Sequence, residues 1–201
     1  MRNYADKQDF IFSQSRDFSG CDLSGIDLRA VDLSGVNFFK ADLRGANLCG
    51  SILTGANLRE ANLIEASLSE ANLIDADLTQ ANLCGAILWR SQFSGSNLTS
   101  ASLCAADFSE ADLSEAKLIE ASLIETKLVR ANLAGAKLCG AKLLEANLTD
   151  ANLIGADLTW ANLTEANLTE ARLWGTKMIH TKLVDAIMPD GTIQEPQFIF
   201  L

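Results

Sequence analysis

The stretch Ala56-Asn57-Leu58-Arg59-Glu60-Ala61-Asn62-Leu63-Ile64-Glu65 is one five-residue unit written twice. Followed outward in both directions, the register does not slip. Every fifth residue from Phe18 to Leu183 is large and apolar: 34 positions hold 29 Leu, four Phe (18, 38, 93 and 108) and Met178. Met188 continues the column. Two residues before each stands a small side chain. From Arg16 to Thr181 those 34 sites hold 23 Ala, three Ser and three Thr. The exceptions, Arg16, Cys21, Ile26, Val31 and Val36, are confined to the N-terminal end. Asn, Asp, Ser or Lys fills most of the sites between, so the unit reads A-(N/D)-L-x-x.

A period of five matches neither the 3.6 of a helix nor the 2.0 of a strand. Within one unit, however, the small residue and the Leu are two apart, so on an extended segment they face the same way and the residue between them faces out. The chain must then bend after each Leu before the next small residue can point inward again. A corner every five residues winds a solenoid with Leu and Ala inside. The glycines set the size of its turn. Of 13 Gly, 12 are the last residue of a unit, and six of these (Gly35, Gly55, Gly95, Gly135, Gly155, Gly175) fall on one lag-20 column interrupted only by Asp75 and Glu115. A lag of 20 means four units per coil and a square cross-section.

Units such as Ala56-Asn57-Leu58-Arg59-Glu60 and Ala161-Asn162-Leu163-Thr164-Glu165 resemble the pentapeptide-repeat family across about residues 16–188. The resemblance implies an all-β fold, a right-handed quadrilateral β-helix of about nine coils of 20 residues. At about 4.8 Å between stacked strands the rod would be roughly 40 Å long. The Ile187-Met188-Pro189-Asp190-Gly191 ending looks like the terminus of cyanobacterial members of the family.

Three segments are expected: an N-terminal cap over 1–15, the repeat β-helix over 16–188, and a C-terminal cap or tail over 189–201. Open solenoid ends expose strand edges and apolar cross-sections, which need covering. Phe10, Ile11 and Phe12 can cover the first coil, and Gln197-Phe198-Ile199-Phe200-Leu201 the last. Between them Pro189-Asp190-Gly191-Thr192 signals a turn. Bulky Ile26, Val31, Val36 and Phe38 suggest a wider or less regular first coil.

Composition narrows function. The formal net charge is −10, which argues against a general nucleic-acid binder, whose affinity rests on excess Lys and Arg. No apolar run reaches membrane-spanning length, and the charged Met1–Phe12 stretch does not read as a signal peptide. Five cysteines without a CxxC pair fit reduced thiols in a cytoplasm. With one His, no phosphate-binding loop and no insertion to build a pocket, no catalytic or cofactor site is expected.

Surface columns carry the functional reading. One corner column, Glu70, Arg90, Glu110, Arg130, Asp150, alternates in sign and should pair opposite charges between coils. A second, Glu125, Glu145, Glu165, Asp185, is wholly acidic. Beside it the residue after Leu reads Ile64, Cys84, Cys104, Ile124, Leu144, Thr164, Val184, an apolar stripe. Two readings of the stripe stand: the strand preference of β-branched residues, and a docking surface. Cys84 and Cys104 should stack on adjacent coils, close enough for a disulfide. His180 should occupy a solvated corner.

The expected function is that of a non-enzymatic interaction scaffold, regulatory in role, binding a protein partner and neither nucleic acid nor membrane. It would act as a monomer, or as a homodimer joined through the C-terminal end. The resemblance implies an alternative: quinolone-resistance members of the family resemble DNA in size and charge and engage DNA gyrase. Lys117, Lys127, Lys137, Lys142, Lys177 and Lys182 interrupt the anionic surface and weigh against it.

Overall fold

A computed structural model describes residues 15–195. The middle residue of each unit pairs with the residue 20 further on through parallel bridges, one residue wide, from Asp17 with Asn37 to Asn167 with Ile187. Pairing therefore recurs every four units, the spacing the glycine column marks. The outcome is a repeat β-fold of stacked coils.

Backbone polar groups must be satisfied, and the unit Ala56–Glu60 accounts for all five of its N–H groups. Ala56 N–H donates to the Leu53 carbonyl at 3.0 Å and closes the preceding corner. Asn57 N–H reaches back one coil to Val36 (2.9 Å), while Leu58 and Glu60 reach forward to Asp77 (2.7 Å) and Thr79 (3.0 Å). Only Arg59 N–H lacks a backbone partner; it donates to the side-chain oxygen of Asn57 at 3.2 Å. This local Asx bond recurs at Asp22–Ser24, Asn82–Cys84 and Asn162–Thr164. The Asn/Asp side chain thus folds back over its own corner, where alternation along an extended segment predicts a side chain that simply faces out. That is the physical reason for Asn or Asp in the middle of the unit.

The corner bends because its last residue is left-handed. All 34 unit-final residues from Gly20 to Asp185 have positive φ, at 62–71° for the glycines and 54–63° for the rest. Leu, Phe and Ala columns meet on the axis, almost all of them inaccessible to solvent from Phe18 to Leu168. Phe18 stacks on Phe38 at 5.8 Å at the N-terminal end, where Ile26 and Val36 are also buried. The buried Ser51 and Thr126 hydroxyls donate to the carbonyls of Leu48 and Leu103.

At the other end Leu173, Met178, Leu183 and Met188 are only partly buried. Here the Pro189–Thr192 turn reverses the chain: Met188 N–H donates to Thr192 (2.7 Å), Asp190 holds the Thr192 N–H (3.0 Å), and Ile187 pairs antiparallel with Ile193. The expected N-terminal cluster Phe10–Phe12 and the tail Gln197–Leu201 lie outside the described residues. No helix among the described residues is long and apolar enough to cross a membrane.

Candidate interaction faces

The stripe Ile64, Cys84, Cys104, Ile124, Leu144, Thr164, Val184 is held in register by the backbone beside it. Each corner N–H donates to the stripe carbonyl of the next coil: Glu65 to Cys84 (3.0 Å), Gly85 to Cys104 (2.9 Å), Ala105 to Ile124 (2.9 Å), Glu125 to Leu144 (2.9 Å), Glu165 to Val184 (2.9 Å). Stacking has a cost in accessibility, because each member shades the next. Ile64, Cys84, Cys104, Ile124 and Leu144 are half-buried, and Val184 alone is exposed, at 39%. Glu125, Glu145, Glu165 and Asp185 all stand exposed on the adjoining corner. The face is a shallow apolar ladder with an acidic rim, less open than the bare sequence column suggests.

The alternating corner column forms in part. Arg90 donates to Glu110 at 2.7 Å, and Arg130 approaches the other carboxylate oxygen at 3.7 Å. The Arg90 hydrogen bond, joined by the charges of both arginines, holds the Glu110 carboxyl below its ordinary value. Glu70 and Asp150 close no such pair among the described residues. Arg90 lies over the Trp89 ring instead, 4.1 Å from its centroid. Two of the mid-unit lysines face aspartates one coil back, Lys127 with Asp107 at 4.0 Å and Lys177 with Asp157 at 3.8 Å.

Exposed aromatic side chains at the C-terminal end were not anticipated from the sequence. Trp160 and Trp174 are 65% and 83% exposed, with Ile179 at 58%. The His180 corner is exposed as expected, but its ring stacks on Trp160, centroids 4.1 Å apart. The signal was available: tryptophan at unit positions that point outward, one of them 20 residues before the single histidine.

The family model for pentapeptide repeats matches in eight copies, over residues 17–55, 41–80, 51–90, 76–114, 91–129, 106–143, 131–169 and 156–189. Among solved structures, HetL from the cyanobacterium Nostoc sp. strain PCC 7120, a pentapeptide repeat protein involved in heterocyst differentiation regulation, is 33% identical, with 96% of this chain and 100% of that one covered and a TM-score of 0.41. A trypsin-treated variant of QnrB1, a plasmid-mediated fluoroquinolone resistance protein, is 21% identical over 83% of this chain and 88% of its own, at a TM-score of 0.47. Rfr23 from the cyanobacterium Cyanothece 51142 is 26% identical over 86% and 95%, at a TM-score of 0.22. No curated protein matches. With the repeat model matching from residue 17 to residue 189 and each unit folding as the A-(N/D)-L-x-x pattern requires, the chain belongs to the pentapeptide repeat family.

Proposed function

We propose that the chain is a non-enzymatic scaffold: a right-handed quadrilateral rod of about nine coils that presents patterned faces to a protein partner in the cytoplasm, in a regulatory role. The observation that carries this reading is the face built from Ile64, Cys84, Cys104, Ile124, Leu144 and Val184, stacked in register beside the exposed carboxylates of Glu125, Glu145, Glu165 and Asp185. Contiguous apolar surface rimmed by polar groups marks interaction sites in soluble proteins. The acidic rim fits a partner with a basic border around an apolar centre. Likeness to HetL, whose described involvement is in the regulation of differentiation, supports a regulatory role.

The test is the double variant Ile124→Lys/Leu144→Lys. It places charge on the stripe without touching the axis, so a β-type circular dichroism spectrum should persist. Protein captured from source-cell lysate by the parent chain should be lost by the variant. Sedimentation of the same pair reads self-association, through this face or through the C-terminal end. Unchanged capture and unchanged sedimentation would overturn the reading. The gyrase-directed alternative ranks behind it, since lysines interrupt the anionic surface; the expected result with purified gyrase is no inhibition of supercoiling.

A further inference from the structure

Two thiols share one column of the rod. The Leu83 N–H donates to the Ser102 carbonyl at 2.7 Å and the Gly85 N–H to the Cys104 carbonyl at 2.9 Å, so Cys84 and Cys104 are clamped in register on both sides. Stacked coils lie about 4.8 Å apart, inside the roughly 4.4–6.8 Å Cα separation that a disulfide spans. The Ser102 hydroxyl sits between the sulfurs, 3.0 Å from Cys84 Sγ and 3.8 Å from Cys104 Sγ, and the Ser122 hydroxyl is 3.2 Å from Cys104 Sγ. Both sulfurs belong to half-buried residues of the outer face, and both cysteines are free.

We propose that Cys84 and Cys104 are a modification site, a thiol pair that hydroperoxides convert to a reversible intramolecular disulfide. Cys104 is the attacking member, because two serine hydroxyls, of Ser122 and Ser102, reach its sulfur where only that of Ser102 reaches Cys84. Burial opposes its ionisation, but hydrogen bonds from Ser122, Ser102, Cys84 and the Ile124 backbone outweigh burial and bring the thiol below its ordinary value. Its thiolate attacks one peroxide oxygen; the O–O bond breaks, and the departing oxygen takes up the proton that Cys104 released. Cys104 is then a sulfenic acid. The Cys84 sulfur attacks the Cys104 sulfur, the S–O bond breaks, and the hydroxide leaves as water with the Cys84 proton. Two thiols and one hydroperoxide thus give one disulfide, one alcohol (water when the oxidant is hydrogen peroxide) and one water.

The remaining cysteines supply the contrast. Cys49 Sγ makes the same contact with a serine, 3.0 Å to Ser67, but Arg29 and Ser69 occupy the positions 20 residues away. Cys139 stands between Ile119 and Thr159, and burial, with Asp157 beside it, pushes its thiol up. Cys21 is buried. Parallel stacking also holds the two Cβ atoms about 1 Å further apart than the mean of about 3.8 Å in disulfides, so closure strains the corner. A strained bridge is the labile kind, open to reduction by a dithiol. The proposal does not depend on what the surrounding face binds.

The full reduced chain is treated with hydrogen peroxide, alkylated and digested with trypsin, which separates the two cysteines into peptides 60–90 and 91–117. The expected product is these two peptides joined, with alkylation lost at Cys84 and Cys104 together and restored by dithiothreitol. Cys49→Ser/Cys139→Ser should leave the linkage unchanged, and Cys84→Ser should abolish it and leave Cys104 oxidised alone. Circular dichroism before and after oxidation confirms that the native chain reacts. Full alkylation of both cysteines after peroxide would overturn the proposal, and so would linkage to Cys49 or Cys139 in equal yield.

Discussion

The side-chain amide of Asn132 donates to the carboxylate of Asp112 one coil back, at 2.9 Å. The same residue accepts twice through its Oδ1, from the Ala134 N–H at 3.3 Å and from the Asn152 amide at 2.9 Å. Asn in mid-unit therefore closes its own corner and adds a rung between coils, whereas Asp can only accept. Asn132→Asp should keep the corner, lose the rung and set two carboxylates face to face. A hydrogen bond to a charged group is worth roughly 1.5–3 kcal/mol, and like charges directly opposite add a smaller penalty. The expected loss is about 2 kcal/mol in urea unfolding at neutral pH. Unchanged stability would show that the rung contributes nothing.

Ser96 faces the axis, fully buried, and its hydroxyl has no hydrogen-bond partner among the described residues. Ser51 and Ser91 occupy equivalent sites but donate to the Leu48 and Leu88 carbonyls. An unsatisfied buried hydroxyl costs roughly 1–3 kcal/mol. Ser96→Ala should therefore raise stability by about 1 kcal/mol, while Ser51→Ala should be neutral or destabilising. Equal effects from the two substitutions would contradict this.

Corner residues test the backbone. Ala105 holds φ at 55°, a region that disfavours a Cβ by roughly 1–2 kcal/mol. Glycine relieves that strain but gains freedom in the unfolded chain worth about 0.4–1 kcal/mol. The balance predicts a small gain for Ala105→Gly, about 0.5 kcal/mol. Gly55→Ala should lose a similar amount, since a Cβ there meets nothing within 4 Å and only the φ of 62° opposes it. Thermal unfolding of both variants reads the signs, which should be opposite.

Acid should weaken the rod through its Asx corners. Hydrogen bonds from Ser24, Ser34 and Thr159 hold the Asp22, Asp32 and Asp157 carboxyls below their ordinary value. A folded value below the unfolded one means a contribution present in full above the unfolded value, near pH 4, and lost as pH falls through the folded one. A carboxamide oxygen accepts the same N–H without titrating, as Asn57 does from Arg59. Asp22→Asn/Asp32→Asn/Asp157→Asn should thus show a smaller fall in Tm between about pH 5 and pH 3 than the parent. An identical fall in both would mean these corners do not sense pH.

Much of the fold was legible because one constraint repeats. Leu58 and Ala56 must face one axis, so the register alone places the inward pairs from Cys21–Leu23 to Thr181–Leu183, with only Arg16 at the open end exposed in place of a small inward residue, and Gly35 and its column reveal the lag of 20. The faces were less legible. Apolar residues in one column predict an exposed stripe, but stacking at strand spacing makes Ile124 and Leu144 cover one another, which no linear reading measures. The alternating column should pair opposite charges between coils, yet one guanidinium commits to one rotamer, and Arg90 takes Glu110 and the Trp89 ring, not Glu70. The Trp160–His180 stack escaped because the reading of His180 as a solvated corner left out its neighbour at lag 20, Trp160.

The small column sets the width of the rod, and Ala106 tests it. Ala106 and Leu103 are both inaccessible to solvent. The Leu103 carbonyl accepts the Ala106 N–H at 3.1 Å and the Thr126 hydroxyl at 2.8 Å, while the Ala106 carbonyl accepts the Lys127 N–H at 2.9 Å. Leu103→Ala removes three carbons from the axis and leaves a cavity, at roughly 2–5 kcal/mol. Ala106→Leu adds three carbons where the wall is hydrogen-bonded to coils above and below. Overpacking typically costs about 1–3 kcal/mol where neighbours can shift; here the wall moves only by breaking its ladder. Ala106→Leu should therefore destabilise the rod at least as much as Leu103→Ala in thermal unfolding. A neutral Ala106→Leu would mean that the axis can widen at one coil alone and that alanine is not what sets its bore.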